Sequence, residues 1–274
     1  MSQQAQLATC PAVIGVNIDV EILDHANAGK AGLFGRYSYG RYGVREGAWR
    51  MLELFAELGI QATFFAAPED IARHPELLKA LVDGGHEIAV RGTVCAQHGG
   101  DEMLDTLARD REAMRALVGT APAGWRAMNG LVTQGTLPAL ARAGYGYDST
   151  FQDDDVPYVM ADKAGSTLVE LPVFDYLTDA LFFAQRHTHL RAAKAWREEA
   201  DAQYRAGGYV NFTLHTRGDT GSGRLPQRRL VEAFLRELQG RPGLKFYRAM
   251  DLADAWRNAH AGREPYPFAP TPQI

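Results

Sequence analysis

Short apolar runs rich in β-branched and aromatic residues alternate along the chain with longer segments in which apolar positions recur at helical spacing. The runs AVIGVNI (12–18), ATFFAA (62–67), HEIAV (86–90), TLVELPV (167–173) and YVNFTL (209–214) read as buried strands. Between them, REGAWRMLELFAELG (45–59) places Trp49, Leu52, Phe55 and Ala56 on one helical stripe and ends at Gly59, a residue suited to a helix C-cap. Further helices are predicted over 69–85, with Pro75 splitting that segment, and over 101–119, 133–144, 190–207 and 226–240. Strand–helix alternation of this kind predicts parallel strands covered by helices, as a closed or partly closed barrel or a doubly wound sheet. No linker divides the chain. A single domain over 1–260 is expected, followed by a proline-rich tail (261–274) extended over the surface or against another subunit of a homo-oligomer.

Composition narrows the function. Over 274 residues, 29 basic and 33 acidic side chains are interspersed to a net charge of −4, without the basic stripe that a phosphate-backbone binder needs, so nucleic acid is not the expected partner. The opening MSQQAQLATCPAV holds no basic n-region or apolar h-region, and no apolar run reaches the ~20 residues of a spanning helix. A cytoplasmic protein acting on a small molecule, with no membrane partner, is the expectation. Its two cysteines, Cys10 and Cys95, are then expected to stay unpaired.

Four segments carry candidate chemistry. Asp19 and Glu21 follow the first strand at i, i+2 spacing, which sends both carboxylates to one face as an acid/base pair, as metal ligands, or as a solvated strand end. In GGHEIAVRGTVCAQHGG, Arg91, Cys95 and His98 follow the third strand; Cys95 and His98 have zinc-like spacing but are only two ligands, and His86 reads as a hydrogen-bonded core residue. Trp125 and Arg126 lie in GWRAMNG, where a guanidinium can grip a carboxylate or rest on the indole as a surface residue. His215 ends the fifth apolar run ahead of a Gly-rich loop, a favourable place for a proton donor. Tyr39, Phe151, Asp154, His187 and His189 are candidate pocket walls, although a histidine at an element's end is more often simply solvated.

Taken in order, these segments resemble the motifs of the polysaccharide-deacetylase (NodB-like) family from Val13 to about Trp256. RYSYGRYGVREGAWRMLELFAELGIQATFF (36–65), GWRAMNGLVTQGTLPALARAGYGYDST (124–150) and FTLHTRGDTGSGR (212–224) look most like the branch holding allantoinase and cyclic imide hydrolases. The resemblance implies an α/β fold, a distorted (β/α) barrel of about seven parallel strands. It implies that Asp19 is the base or orienting acid, that Arg126 pairs with a catalytic acid, and that His215 protonates the leaving group. It also exposes a departure. Val20, Arg91 and Cys95 occupy the positions of the second aspartate and two histidines that hold the metal in metal-dependent members.

Valine cannot ligate, and arginine brings a permanent positive charge to the place of a cation. The expectation is therefore a hydrolase without a metal cofactor, opening a cyclic amide, imide or ureide. Asp19 or Glu21 would activate water, and Arg91 or Arg126 would steady the oxyanion, with Tyr39, Arg91, Cys95, Trp125 and Asp154 binding substrate. The alternatives are a rebuilt zinc site from Asp19, Cys95 and His98, a deacetylase of a cytosolic amino sugar, and a barrel that binds without turnover.

Overall fold

The computed structural model describes residues 8–20, 39–93, 100–128, 130–133 and 135–268. Ten strands form one sheet in the order β10-β6-β7-β5-β4-β3-β2-β1-β8, with β9 also pairing with β1. The strands are β1 (Cys10–Ile18), β2 (Thr63–Ala66), β3 (Glu87–Gly92), β4 (Gly124–Ala127), β5 (Tyr147–Asp148), β6 (Tyr158–Ala161), β7 (Thr167–Glu170), β8 (Val210–His215), β9 (Leu244–Tyr247) and β10 (Tyr266–Pro267). Every pairing is parallel except β6 with β7. Strands β1 to β5, β7 and β8 form the parallel body of the sheet, which their backbone pairing leaves open between β7 and β8, so the expected barrel is not closed by strand pairing. The seam between the β7 end and β8 carries a single bridge, Thr178 to Thr213, and is sewn by Asn211, whose Nδ2 donates to the carbonyls of Leu171 and Pro172 at 3.4 and 2.9 Å.

The covering helices are α1 (Ala48–Leu58), α2 (Pro68–Ile71), α3 (Pro75–Asp83), α4 (Gly100–Val118), α5 (Thr136–Arg142), α6 (Asp179–Ala184), α7 (His189–Ala206), α8 (Leu225–Gln239) and α9 (Ala249–Ala259). Gly59 closes α1 at φ 65°, the left-handed geometry glycine takes freely. Pro75 starts α3, so the expected split falls where its missing N–H requires. A π-turn (Gly43–Gly47) leads into α1 and lies against the loop after β8 so closely that a Cβ on Gly47 would sit 2.0 Å from the Thr216 carbonyl oxygen.

Two cores follow from strand parity. Side chains pointing outward from the strands meet the helices around Phe55, Phe64, Trp196 and Phe212, whereas Val13, Phe65, Ala89, Tyr147, Val169 and Tyr209 fill the barrel and are closed from below by Ala249, Leu252 and Ala253 of α9. Glu87 accepts from Tyr147 Oη (2.7 Å), Thr63 Oγ1 (2.8 Å) and the Met250 amide (2.9 Å), fastening α9 to the barrel floor. The start of the tail is fastened to its own chain: β10 pairs with β6, and Phe268 packs into the core. Residues 269–274 lie outside the described residues.

Candidate active site

Along β1 the inward positions run Val13, Gly15, Asn17 and then Asp19, so the barrel interior becomes polar towards the carboxyl ends of its strands. Gly15 makes room for a guanidinium: a Cβ there would lie 2.8 Å from Arg126 Nη1. Arg126 is buried, stacks over the Phe65 ring at 3.9 Å, and donates to the Ser149 carbonyl, Ser149 Oγ and Asn17 Oδ1 at 2.8, 2.8 and 3.2 Å. Burial, and then the neighbouring Arg91 charge, lower its pKa to about 10, which still leaves it cationic at neutral pH.

Above it, Arg91 grips Asp19 bidentately, Nε to Oδ1 at 2.5 Å and Nη2 to Oδ2 at 3.1 Å, while Nη1 and Nη2 also donate to the carbonyls of Ala127 and Met128. Both side chains are buried, at 6% and 3% exposure. Burial alone would raise the Asp19 pKa; the Arg91 charge and hydrogen bonds, helped by His215 and Arg217, outweigh it and hold the carboxyl below the ordinary aspartate value.

His215 stands at the end of β8, in register with Asn17. Its Nδ1 lies 2.7 Å from Asp179 Oδ1, and Asp179 Oδ2 accepts from the amides of His215 and Ser222 at 2.9 and 2.8 Å. The fully buried Asp179 is thereby committed to orienting this imidazole. On the other side, Nε2 lies 3.0 Å from Asn17 Nδ2 and 3.8 Å from Asp19 Oδ2. Arginine is donor-only, so Arg126 fixes Oδ1 of Asn17 towards itself and turns the amide Nδ2–H towards His215. Nε2 must then accept, which places the ring proton on Nδ1, against Asp179. The resting imidazole thus holds its proton on Nδ1 and its Nε2 lone pair in the hydrogen bond from Asn17, a neutral donor that a water molecule can displace.

These contacts place the expected residues unevenly. Asp19, Arg126 and His215 converge, with Arg91 among them, but the partners differ from expectation: Arg91 holds the carboxylate, and Arg126 holds Asn17. Arg91 and Arg126 are both buried behind the groups they orient, so neither stands as a substrate or oxyanion contact. Trp125 is no pocket wall. Neighbouring residues on a strand face opposite ways, so with Arg126 inside the barrel Trp125 lies outside it, fully buried under the helices. Asp154 accepts from the amides of Asp155 and Val156 and borders a separate groove with Tyr158, Trp256 and Tyr266. Tyr39 does border a cleft beside the loop after His215, together with His187 and His189. Glu21, Cys95 and His98 lie outside the described residues. Asn17 and Asp179 were not legible as site residues.

Among the described residues no group of three or more His, Cys, Asp or Glu side chains is gathered as a metal would require. At the positions the family uses for its metal, Val20 is buried in the outer core and Arg91 is bonded through two nitrogens to the one carboxylate, Asp19. A donor-only cation in that place does not fit a divalent ion.

The polysaccharide deacetylase family profile matches residues 37–147, which contain Arg91 and Arg126. A structure from Mycobacterium smegmatis, described as belonging with the polysaccharide deacetylases, superposes with a TM-score of 0.89 at 28% identity, covering 100% of this chain and 98% of that one. Sequence and structure comparisons support a NodB-like polysaccharide-deacetylase superfamily for this chain. Among its curated relatives, the peptidoglycan deacetylase of Helicobacter pylori is 25% identical over 88% of this chain and 94% of its own length. The peptidoglycan deacetylase-like protein FGM2 of Gibberella zeae is 30% identical over 53% of this chain, a match that spans 43% of the relative's own length. PuuE allantoinase shares the fold, with a TM-score of 0.80 at 22% identity over 96% of this chain and 94% of that one. Together the comparisons support a polysaccharide-deacetylase-like hydrolase acting on carbon–nitrogen bonds.

Proposed function

We propose that the protein hydrolyses a C–N bond within a small cyclic amide, imide or ureide, using His215 rather than a metal-bound water. The observation that carries this reading is the chain of orientation from Arg126 through Asn17 to Nε2 of His215, closed on the far side by Asp179. With the substrate water in place of the Asn17 amide at Nε2, an imidazole so held takes a proton from that water as its oxygen adds to the ring carbonyl. The imidazolium formed is bonded to Asp179 and lies 3.8 Å from the Asp19 carboxylate, so the charge it gains is offset from two sides. It then returns that proton to the ring nitrogen as the C–N bond breaks.

The low pKa of Asp19 makes it a weak base; its work in this scheme is electrostatic, and Arg91 keeps it ionised. This reverses the division of labour that the family resemblance implies. Incubating the protein with hydantoin, allantoin, succinimide and dihydrouracil, with product analysis by mass spectrometry, tests the reading. Ring opening that is lost in His215→Ala supports it, and failure of all four rings contradicts it.

A second reading, removal of an N-acetyl group from an amino sugar, is favoured by the peptidoglycan deacetylase relatives, one of which aligns over most of the chain. Acetate release from N-acetylglucosamine oligomers without ring opening would select it.

A further inference from the structure

Beside the loop that follows His215 lies a cleft of about 380 Å³, bordered by Tyr39, Phe183, Arg186, His187, His189, Gly218, Asp219, Arg224 and Gln227. Its walls come from the two elements that hold the catalytic imidazole. One is α6, which begins at Asp179 and runs to Phe183 and the turn bearing Arg186. The other is the loop from Thr216 to Arg224, which folds back so tightly that a Cβ on Gly221 would lie 2.2 Å from the His215 carbonyl oxygen. A group bound in this cleft is therefore positioned relative to His215 by the same backbone.

The lining is cationic. Its one carboxylate among the described residues, Asp219, is taken at both oxygens by Arg217, at 3.0 Å each. Arg224 is aimed by its Nε bond to the Gly218 carbonyl and by the Tyr42 ring 5.0 Å away, and its two terminal nitrogens make no hydrogen bond among the described residues. Arg186 is exposed, forms no side-chain ion pair or hydrogen bond among the described residues, and sits at φ 60°, where a glycine would be accommodated without cost. A strained backbone position carrying a long cation with no structural partner is the pattern expected where the side chain serves a ligand. His189 opens the 18-residue α7 at the cleft edge, adding the positive end of a helix to the same side.

We propose that this cleft is a specificity subsite for a carboxylate carried on the cyclic substrate, with Arg186 and Arg224 as its anion contacts. The assignment rests on the ring-opening reading above and narrows it from neutral rings to ring substrates bearing an acidic arm.

Hydantoin-5-acetic acid and its methyl ester, assayed side by side, test the subsite. The acid should have the higher kcat/KM, and Arg186→Gln should raise KM for the acid about tenfold, the loss of one charge-assisted contact, and for the ester by much less. Arg186→Lys should restore most of the difference. An acid no better than its ester, or an Arg186→Gln variant that weakens both equally, would overturn the assignment. Should neither compound be opened, the ring-opening reading fails while calorimetry on His215→Ala still decides the subsite. Binding of hydantoin-5-acetate that is weakened by Arg186→Gln supports it; no binding, or binding insensitive to that change, overturns it.

Discussion

The two ends of the barrel hold the same pair of side-chain types, a carboxylate and a histidine, and use them in opposite ways. At the lower end His86 and Glu87 lie side by side in sequence; at the upper end Asp19 and His215 meet from strands almost 200 residues apart. His86 is wedged against Phe55 and Phe64, and burial pushes its pKa down to about 4, with Nδ1 accepting from the Ala62 amide. Glu87 has three neutral donors and no cation bonded to it, so burial raises its pKa. Asp19, as deeply buried, moves the other way because Arg91 is bonded to it. Burial sets the size of the problem; the partner decides whether the group rests charged. The lower pair is shifted by burial towards its neutral forms and fastens α9, and the upper pair sets an ionised Asp19 beside an imidazole whose Nε2 meets only the neutral Asn17 amide.

The sharpest way to break this comparison is to disable the upper histidine. His215→Ala should lower kcat by about 10²–10⁴ on whichever ring the protein opens, with little change in Tm, and Asp179→Asn should approach that loss by releasing the imidazole's tautomer. Comparable loss in His86→Leu would erase the distinction between the ends.

Next comes the ion pair. Arg91→Met leaves the Asp19 carboxylate buried without its partner and should cost about 3–5 kcal/mol in denaturant unfolding. Asp19 has a folded pKa below its unfolded one, so its contribution is complete above the unfolded value and disappears as pH falls through the folded one. The variant's deficit should therefore shrink in strong acid. A deficit independent of pH would show that the pair acts by packing alone.

Gly15→Ala probes the orientation chain with a single methyl group. Its Cβ would crowd Arg126 Nη1, loosening Asn17, and should reduce kcat roughly tenfold while the fold, measured by circular dichroism, is kept. Unchanged kcat would remove Asn17 from the account.

The gentlest test is at the lower end. The folded pKa of His86 lies below its unfolded one, so its neutral form favours folding above pH ~6.5, and that contribution, on the order of 3 kcal/mol, is lost as pH falls to about 4. His86→Leu should be the less stable protein at pH 7, by about 1 kcal/mol for the stranded Ala62 amide, and should become the more stable one near pH 4, where the wild type has lost on the order of 3 kcal/mol. Parallel stability curves would contradict the assignment.

Much of this architecture was legible along the chain, for uneven reasons. The long apolar runs and α1, with its terminal glycine, declared themselves by length, although the buried face of α1 runs through Ala48, Met51, Leu54, Phe55 and Leu58 and leaves Ala56 of the predicted stripe exposed. Strands β4 and β5, of four and two residues, are too short to show a period, and β5 is defined only by what it lies between. That a fixed cation stands at Arg91 could be read directly, since the identity of a residue needs no coordinates. The partnership of Arg126 could not, because it depends on Gly15 leaving a gap and on parity putting Asn17 inside. Parity also explains the misplacement of Trp125, adjacent in sequence to Arg126 and on the opposite face. Asp179 was invisible because only the turn after β7 brings it to His215.

The central claim is that the upper site does hydrolytic work through His215 while Arg91 occupies a cation's place. Its most direct test is ring-opening turnover by protein stripped with a chelator, verified by elemental analysis, alongside the same protein reloaded with zinc, cobalt or manganese. The account predicts that the stripped protein retains its full rate, that added metal leaves it unchanged, and that His215→Ala abolishes it. Activity that vanishes on stripping and returns with one equivalent of a single metal would contradict the claim and point to ligands beyond Asp19, Cys95 and His98 first among them.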